Sequence, residues 1–359
     1  MFRYFGSKHS SATQVAQLAT QDFVGTTAAD AFGGLGTIGA VLKGSGFKVT
    51  TCDVLQLPNI FQHARIVCQE RPRFSRLRKA TGLRTGADIL EHLDTRRADR
   101  SWLVAEFSIE RQFFTRDNAS RIAGAWSAIK RWNEDDLLTD SERKYLLASF
   151  LNSMDPCANT AGTYYAHLKQ WHRKALKPFQ MKWIPVQAGA AGGRALLGDA
   201  IEVLKGKRFD LLYLDPPYNR RDYSRYYHLP ESLASLQRPD TNPDSASGVP
   251  RKVHDASPLI RKSAEASYLL ELISSVQWKR LVVQYCEGSE IPMSELRNLL
   301  GEVGKLQEYV LPALGYTTAT QARQQKHHVF IVDAVQGKTA LMSAQRRRAS
   351  VGGADRARQ

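Results

Sequence analysis

One stretch near the N-terminus constrains the fold of this chain more than any other. Residues 26–32 form a short apolar run that stops at the glycine-rich turn 33–36, residues 37–43 follow with helical spacing, and residues 48–52 have the pattern of a strand that closes on Asp53. A strand, a tight turn, a helix and a second strand make a βαβ unit, because parallel strands need a crossover connection. The sequence therefore predicts an α/β fold that is built on a parallel sheet.

The turn has the spacing of a cofactor-binding loop. Residues 34–39 satisfy the pattern G-x-G-x-x-G, and Asp53 follows the next predicted strand. Glycines let the backbone approach a ligand closely, and an acid after the second strand accepts hydrogen bonds from ribose hydroxyls. A nicotinamide dehydrogenase would have the same pattern, and a simple tight turn would also satisfy it. The loop indicates at most an adenosine-containing cofactor and leaves the reaction open.

Strand patterns return far downstream. Five more segments have the apolar pattern of a strand or of a strand followed by a short helix: residues 195–204, 209–214, 280–285, 306–311 and 328–333. The second of them ends at Asp215, and the last two are predicted to pair antiparallel. Together with the N-terminal unit they would complete one sheet.

The sequence between these two halves has a different character. Residues 55–187 are mainly helical in pattern and rich in Arg and Lys. They contain five of the six tryptophans of the chain: Trp102, Trp126, Trp132, Trp171 and Trp183. We predict that residues 1–54 and 188–337 form one catalytic domain and that residues 55–187 form an inserted lobe. The basic tail at residues 338–359 is predicted to be disordered.

The net charge and the cysteines indicate which kind of partner and which cellular compartment to expect. The chain of 359 residues has a formal net charge of +15, which favours a polyanionic partner because each neutralised phosphate releases counterions. Its four cysteines are scattered and form no C-x-x-C pair, so neither a metal site nor a disulfide framework is predicted. The first eight residues lack the apolar stretch of a signal peptide, and no run of ~18 apolar residues could cross a bilayer. These features predict a soluble, cytoplasmic protein with no membrane partner.

The tetrad Asp215-Pro216-Pro217-Tyr218 narrows the chemistry. It follows the apolar run 209–214 directly, at the carboxyl end of a predicted strand, where open α/β sheets bind ligands. Two prolines at that position have little structural use, because proline donates no hydrogen bond to a sheet. We therefore interpret the tetrad as a catalytic motif.

The order of the motifs resembles that of the alpha group of adenine-N6 DNA methyltransferases, the family of Dam-like enzymes. In that family an N-terminal cofactor motif, F-x-G-x-G, a target-recognition insertion and D-P-P-Y follow one another. The matching segments here are residues 3–8, 32–36, 198–199, 215–218 and 283–288. The resemblance implies a Rossmann-like class I methyltransferase sheet with helices on both faces, and a mainly helical inserted target-recognition lobe.

The tetrad's residue types fit the transfer of a methyl group to an exocyclic amine. The carboxylate of Asp215 and the carbonyl of Pro216 can each accept a hydrogen bond from an adenine amine, which directs the nitrogen lone pair towards the methyl group. Proline restricts φ and so helps to hold that carbonyl in place. Tyr218 would stack on the adenine, which must flip out of a duplex to be reached.

The resemblance also implies S-adenosyl-L-methionine as the cofactor and a set of site residues. The catalytic residues would be Asp215, Pro216, Pro217 and Tyr218. The cofactor-binding residues would be Tyr4, Gly6, Lys8, Phe32, Gly34, Gly36, Asp53, Asp199 and Asp215. Within this set, Asp53 would hold the ribose, and Asp199 is a candidate for contact with the cofactor's adenine amine.

These expectations define a site-specific DNA methyltransferase that modifies the N6 atom of a flipped-out adenine in double-stranded DNA. A cognate restriction endonuclease that acts separately would be a further partner. Three alternatives stay open: an RNA adenine-N6 methyltransferase, a DNA cytosine-N4 methyltransferase, and a catalytically inactive DNA-binding protein. The recognition sequence and the base-contacting residues are not encoded in any motif.

Other motifs allow two interpretations. Asp155-Pro156-Cys157 contains the Pro-Cys pair of cytosine-C5 methyltransferases, but no strand precedes it, so Cys157 is predicted to be an ordinary thiol. The basic residues around Phe74 could contact phosphates or form a solvated face. Residues 220–227 allow either a loop that closes over DNA or a helix with one packed face. The aromatic residues between 164 and 172 could face DNA, although such spacing is more often that of a core.

Overall fold

The strands predicted from the sequence form one sheet. A computed structural model describes residues 2–4, 11–251, 257–311 and 326–335. The strands are β1 (Thr27–Asp30), β2 (Lys48–Asp53), β3 (Arg194–Leu197), β4 (Arg208–Leu214), β5 (Gln277–Cys286), β6 (Gly304–Leu311) and β7 (His327–Ala334). They lie in the order β3-β2-β1-β4-β5-β7-β6. The first five are parallel, and β7 runs antiparallel between β5 and β6 as predicted.

The helices are mostly short. They are α1 (Ala12–Thr20), α2 (Thr37–Gly44), α3 (Gln56–Gln62), α4 (Ser75–Thr81), α5 (Gly86–Thr95), α6 (Trp102–Val104), α7 (Arg116–Glu134), α8 (Asp140–Met154), α9 (Ala200–Leu204), α10 (Tyr223–Tyr226), α11 (His228–Ala234), α12 (Ser257–Lys262), α13 (Ala266–Ser275) and α14 (Met293–Val303). Two π-helical turns (His63–Val67 and Ala105–Ile109) and two 3-10 turns (Asp155–Cys157 and Arg173–Leu176) extend or connect them.

Helices cover both faces of the sheet. Alternate residues of a strand point to opposite faces, so Leu211 and Leu212 of β4 enter different cores. Leu211 packs in the core formed with α1 and α2, whereas Leu212 packs in the core formed with α9, α13 and α14. The predicted fold class, a Rossmann-like methyltransferase sheet with helices on both faces, is confirmed.

The helical part of the chain has its own apolar core. Capping boxes start two of its helices, since the hydroxyl of Thr85 pairs with Asp88 at α5 and that of Thr139 pairs with Glu142 at α8. Residues of α3 to α8 form one apolar cluster, which also takes in Phe2 and the buried side chains of α11. Helix α3 contacts β2 and β3 as well. The domain boundaries stay a prediction, and the predicted tail at residues 338–359 lies outside the described residues.

The tryptophans of this helical part serve mainly in packing. Trp126 and Trp132 are buried, and Trp102 and Trp183 pack against the same cluster. Trp171 differs, because it is 38% exposed. Among the described residues, none of the helices combines the length and the apolar character that crossing a bilayer would require.

The tight contact between α7 and the chain that follows α5 gives a test of the fold. A Cβ atom on Gly124 would lie 2.6 Å from backbone atoms of Arg96 and Arg97, so that Gly124→Ala must displace backbone. We expect this variant to lose roughly 1–3 kcal/mol of stability through overpacking, although alanine is the better helix former.

Gly301→Ala is the matched control, because Gly301 is an exposed residue of α14 with open space around it. It should gain up to about 1 kcal/mol. Denaturant unfolding measures both variants, and a Gly124→Ala protein as stable as Gly301→Ala would contradict the close approach.

Candidate active site

The carboxyl ends of β1, β2 and β4 open into one cleft. It encloses about 1070 Å³, including the space at its mouth. The predicted site residues that line it are Tyr4, Phe32, Gly34, Asp53, Asp199, Asp215, Pro216, Pro217 and Tyr218. Gly36 lies just behind this lining as the N-cap of α2, and Gly6 and Lys8 lie outside the described residues. The fold therefore gathers residues from both ends of the sequence around one cleft.

The glycine loop after β1 is shaped by close packing. Gly36 has φ 74°, a left-handed conformation that favours glycine. A Cβ atom on Gly33 would lie 1.9 Å from the Thr51 hydroxyl oxygen and 2.7 Å from the Gln62 side-chain nitrogen. A side chain at Gly33 would have to displace the side chains of Thr51 and Gln62.

Two buried polar side chains hold this loop from behind. Gln62 Nε2 donates a hydrogen bond to the Gly34 carbonyl (2.9 Å), and Arg65 Nη1 donates one to the Leu35 carbonyl (2.8 Å). The buried ammonium of Lys43 donates to the Cys68 carbonyl (2.7 Å), where the π-helical turn ends. Sequence reasoning missed Gln62 and Arg65; their only signal was a pair of polar residues, three positions apart, inside an apolar stretch.

Asp53 ends β2 and faces the cleft. Burial raises the pKa of its carboxyl group to about 6, although backbone hydrogen bonds from Leu55, Gly34 and Val54 act in the opposite direction. The Leu55 N–H donates to Asp53 Oδ1 at 3.1 Å. The carboxylate thus lies beside the glycine loop, where backbone hydrogen bonds hold it and burial raises its pKa.

Tyr4 reaches the cleft from the N-terminal segment. Its ring stacks on Tyr227 (centroids 4.6 Å apart) and lies near Tyr223 (5.9 Å). A Cβ atom on Gly34 would be 3.6 Å from the Tyr4 ring, so the ring covers the glycine loop closely. Tyr4 therefore forms one wall of the cleft.

Asp199 follows β3 and is 5% exposed. Its Oδ1 caps α9 by accepting from the Ile201 N–H (3.0 Å), and its Oδ2 accepts from the Tyr268 hydroxyl (2.6 Å). Both oxygens therefore have protein partners, and the structure adds Tyr268 to the residues that line this part of the cleft.

The tetrad follows β4 as predicted. The Tyr218 hydroxyl donates to Asp215 Oδ1 at 2.8 Å. Burial raises the pKa of Tyr218 and the neighbouring Asp215 raises it further, so the hydroxyl keeps its proton. Pro216 is buried, whereas Asp215 and Tyr218 are partly exposed towards the cleft. The carboxylate, the proline carbonyl and the aromatic ring thus form one compact unit.

A loop after β5 supports the ring of Tyr218. The Glu290 N–H donates to the Tyr218 carbonyl (3.0 Å), and the Tyr218 ring meets Tyr285 edge-on with centroids 5.6 Å apart. The Tyr285 hydroxyl in turn accepts from the Ile291 N–H (2.9 Å). Tyr285 belongs to residues 283–288, which resemble a family motif, and these residues lie beside the tetrad.

The comparison with known proteins agrees with this geometry. Residues 4–285 match the model of the D12 class N6 adenine-specific DNA methyltransferases. The chain belongs to this family. The family predicted from the motifs is thereby confirmed.

The individual relatives share less than a third of their aligned residues with this chain. The chain is 28% identical over 291 residues to the type II methyltransferase M.FokI of Planomicrobium okeanokoites, covering 80% of this chain and 44% of that protein. It is 27% identical over 304 residues to the modification methylase LlaI of Lactococcus lactis subsp. lactis, covering 83% and 48%. The chain spans about half the length of the curated relatives it matches. A solved rRNA methyltransferase, aviRa from Streptomyces viridochromogenes, overlaps 94% of this chain and 88% of its own, at 13% identity and a TM-score of 0.32, which is too low to support an argument.

The segment after the tetrad of this D12 family member forms the single helical turn α10 from residue 223, with residues 219–222 irregular before it. Tyr223 lines the cleft, Tyr227 is fully buried, and Arg221 and Arg225 are exposed. Of the two interpretations left open by the sequence, the structure has the helix with one packed face. Its basic side chains still point outwards beside the cleft.

The structure also describes two other motifs that the sequence left ambiguous, the Pro-Cys pair and the basic residues around Phe74. Cys157 is buried in a 3-10 turn, and burial and nearby Asp155 raise the pKa of its thiol to about 12, which disfavours a thiolate nucleophile. The basic residues around Phe74 are exposed, and Arg71 lies over the ring of Trp183 at 5.4 Å.

Glu231 of α11 is a buried acid near the cleft that sequence reasoning missed. Its two carboxylate oxygens accept from the Gln56 and Leu57 N–H groups, each at 2.8 Å, and so cap the start of α3. Burial raises the pKa of Glu231 to about 7, and the charge of Asp53 acts in the same direction. The Glu231 carboxylate therefore joins α11 to α3, the helix whose Gln62 holds the glycine loop.

The raised pKa of Glu231 predicts a pH dependence of stability. Because the folded pKa of about 7 exceeds the unfolded value, the folded protein binds more protons, and its stability falls as pH rises from about 4.5 to 7. We expect Glu231→Gln to remove a fall of roughly 1–3 kcal/mol from that interval. Denaturant unfolding at pH 5 and pH 8 measures the difference, which also cancels any constant loss from the changed cap. Equal pH dependence in both proteins would contradict the assignment.

Proposed function

We propose that this protein is a site-specific DNA methyltransferase that transfers a methyl group from S-adenosyl-L-methionine to the exocyclic N6 of a flipped-out adenine in double-stranded DNA. One observation carries the proposal: the tetrad at the end of β4 and the glycine loop at the end of β1 line the same cleft. A methyl donor held by the loop and a base held by the tetrad would therefore meet there.

The charge of the cleft favours S-adenosyl-L-methionine over a dinucleotide. Its lining includes Asp30, Asp53, Asp199 and Asp215, and contains no Lys or Arg among the residues that the structure describes. The pyrophosphate of a dinucleotide would face these carboxylates without a counter-charge, whereas a sulfonium is attracted by them. The charge therefore supports S-adenosyl-L-methionine over the nicotinamide dinucleotide that the glycine pattern also allows.

The shape of the cleft also fits the cofactor. Gly33, Gly34 and Gly36 place no side chains of their own between the loop backbone and a ligand, and Asp53 at the end of β2 is placed to accept hydrogen bonds from ribose hydroxyls. Phe32 and the ring of Tyr4 supply apolar surface. We assign Asp199, beside Tyr268, to the adenine end of the cofactor.

The tetrad supplies the groups that act on the target base. When bound, the cofactor provides an electrophilic methyl group. The Asp215 carboxylate and the Pro216 carbonyl accept hydrogen bonds from the adenine amine and orient its lone pair. Tyr218 presents its ring to the base, and base–aromatic stacking is worth about 1–3 kcal/mol, which offsets part of the stacking lost on flipping. Its hydroxyl bond to Asp215 fixes the ring relative to the carboxylate.

The first test is Asp215→Ala. Methyl transfer from tritiated S-adenosyl-L-methionine to duplex DNA should fall at least about 100-fold, because the group that orients the amine is lost. The circular dichroism spectrum should stay unchanged. Asp244→Ala is the matched control, since Asp244 is an exposed acid whose partner is Arg251.

The same assay separates the alternatives. Excess structured RNA should fail to compete with duplex DNA, and base analysis of the product should give N6-methyladenine rather than N4-methylcytosine. Undiminished transfer by Asp215→Ala would refute the proposed mechanism. A soluble wild-type protein that neither binds the cofactor nor modifies DNA would support the inactive DNA-binding alternative.

We further propose that an exposed surface at residues 161–173 contacts DNA. Tyr165 is 48% and Trp171 38% exposed, and Lys169 and Arg173 beside them are also exposed. Exposed rings interleaved with cationic side chains suit nucleic acid, because phosphates bind the cations while rings contact sugars or bases.

Hydrogen bonds hold this surface in place beside α10, the helix that follows the tetrad. The fully buried Asn159 donates to the Gln112 and Leu168 carbonyls (both 3.0 Å) and accepts from the His172 N–H (3.0 Å). The Tyr164 N–H donates to the Tyr226 carbonyl at 2.7 Å. DNA bound here would therefore lie close to the cleft.

The double variant Lys169→Ala/Arg173→Ala tests the surface. Losing two phosphate contacts should raise KM for DNA about tenfold at physiological salt and lower the salt slope of binding by about 2. Lys205→Ala/Lys305→Ala removes the same charge from exposed residues near the opposite edge of the sheet and should leave the slope unchanged. Equal slopes in the two double variants would contradict the assignment.

The names of the relatives suggest a biological setting. They are a type II methyltransferase and a modification methylase, so we propose that this protein protects DNA from a separate restriction endonuclease. The four cysteines are free thiols, which fits our proposal of a cytoplasmic location.

A further inference from the structure

An ion pair between a partly exposed arginine and a buried aspartate ties the N-terminal segment to the helical part of the chain. Arg3 Nε lies 3.0 Å from Asp155 Oδ2, and the Arg3 N–H donates to the same oxygen at 3.3 Å. Arg3 Nη2 also donates to the Thr160 hydroxyl at 3.0 Å. The Asp155 side chain is only 2% exposed, and the Tyr164 hydroxyl donates to its other oxygen (3.5 Å). The Asp155 carboxylate therefore binds both the side chain and the backbone N–H of Arg3.

The residues on either side of Arg3 are fixed by rings. Phe2 is 3% exposed and packs against Phe61, Tyr164 and Tyr227, and its N–H donates to Asn152 Oδ1 at 2.9 Å. Tyr4 then stacks on Tyr227 and covers the glycine loop. Arg3 lies between these two residues in the chain, so its anchor adds to the ring contacts that place Tyr4.

We propose that the Arg3–Asp155 ion pair is a positioning device that holds Tyr4 against the glycine loop and so sets the affinity for the cofactor, an inference that rests on the proposed function. Asp155 touches no part of the cleft and acts through Arg3 and Tyr4. The anchor comes from residues 155–164, which run directly into the proposed DNA-contacting surface. The same segment therefore serves both cofactor and DNA.

The anchor is buried on its carboxylate side. The Arg3 side chain is 39% exposed, whereas that of Asp155 is 2% exposed, so removing the cation would leave a buried carboxylate without its charged partner, which is unfavourable. Arginine is suited to this role, since the separate nitrogens of its planar guanidinium contact Asp155 (Nε) and Thr160 (Nη2), a fork that the single ammonium nitrogen of lysine does not reproduce. Arg3→Lys should therefore retain the charge and lose part of the positioning.

The test compares Arg3→Gln, Arg3→Lys and Asp155→Asn in the full chain. Calorimetry with S-adenosyl-L-methionine should show Kd raised about 10-fold for Arg3→Gln and Asp155→Asn, and less for Arg3→Lys. The double variant Arg3→Gln/Asp155→Asn should be no weaker than either single variant, because both remove the same interaction. The kcat at saturating cofactor and DNA should change less than about twofold, since the tetrad is untouched.

A second readout needs no cofactor. With 3-fluorotyrosine at position 4, the ¹⁹F resonance should move towards that of the free amino acid in Arg3→Gln, because the ring leaves its stack. Arg121→Gln is the control: it breaks an ion pair of the same part of the chain (Arg121–Asp117, 2.7 Å) that has no contact with the N-terminal segment. It should leave both Kd and the resonance unchanged.

The outcomes are distinct. A wild-type Kd with an unmoved resonance in folded Arg3→Gln would overturn the inference, and so would equal changes in Arg121→Gln. If Arg3→Gln does not fold, Arg3→Lys decides by the same two readouts. Failure of the wild-type protein to bind S-adenosyl-L-methionine would refute the proposed function, whereas the resonance would still report whether Arg3 positions Tyr4.

Discussion

The parallel pairing of β1 with both β2 and β4 is the constraint on which the rest of the structure depends. Asp30 of β1 lies opposite Thr51 on one side and Tyr213 on the other, so three strands end at the same edge. The segments that follow them diverge there and leave a crevice, as expected where the strand order reverses direction. Residues that are far apart in sequence meet in the cleft only because these registers hold.

The features that the sequence predicts well are the local ones. The glycine loop follows β1, Asp53 ends β2 and the tetrad follows β4, so these site residues could be recognised as the ends of predicted strands. The antiparallel pairing of β6 with β7 was predictable for the same reason, since both have strand patterns close together in sequence. The predicted contacts with cofactor and DNA stay predictions that the geometry supports.

The features that could not be predicted are long-range polar contacts. Gln62 and Arg65 support the glycine loop, and Glu231 caps a helix 175 residues earlier in the chain. A buried polar residue must find a partner, but the sequence does not say which one. The segment 220–227 was undecided for a related reason: its period suits a helix, and only the stack of Tyr4 on Tyr227 shows which face is packed.

The distribution of charge connects the two halves of the proposed reaction. The chain carries a net charge of +15, yet its cleft is lined by four aspartates. Burial of acids near the cleft is unfavourable, as the raised pKa values of Asp53 (about 6) and Glu231 (about 7) indicate, and a cationic ligand offsets part of that penalty.

Under the proposed function, DNA would meet the opposite arrangement. Its phosphates would be attracted to cations outside the cleft, such as Lys169 and Arg173, and repelled by the carboxylates within it. A neutral adenine base has neither restriction and can enter once it leaves the stack. Under the proposed function, the cleft therefore selects a cation and an uncharged base, and base flipping is the step that separates that base from the charge of its backbone.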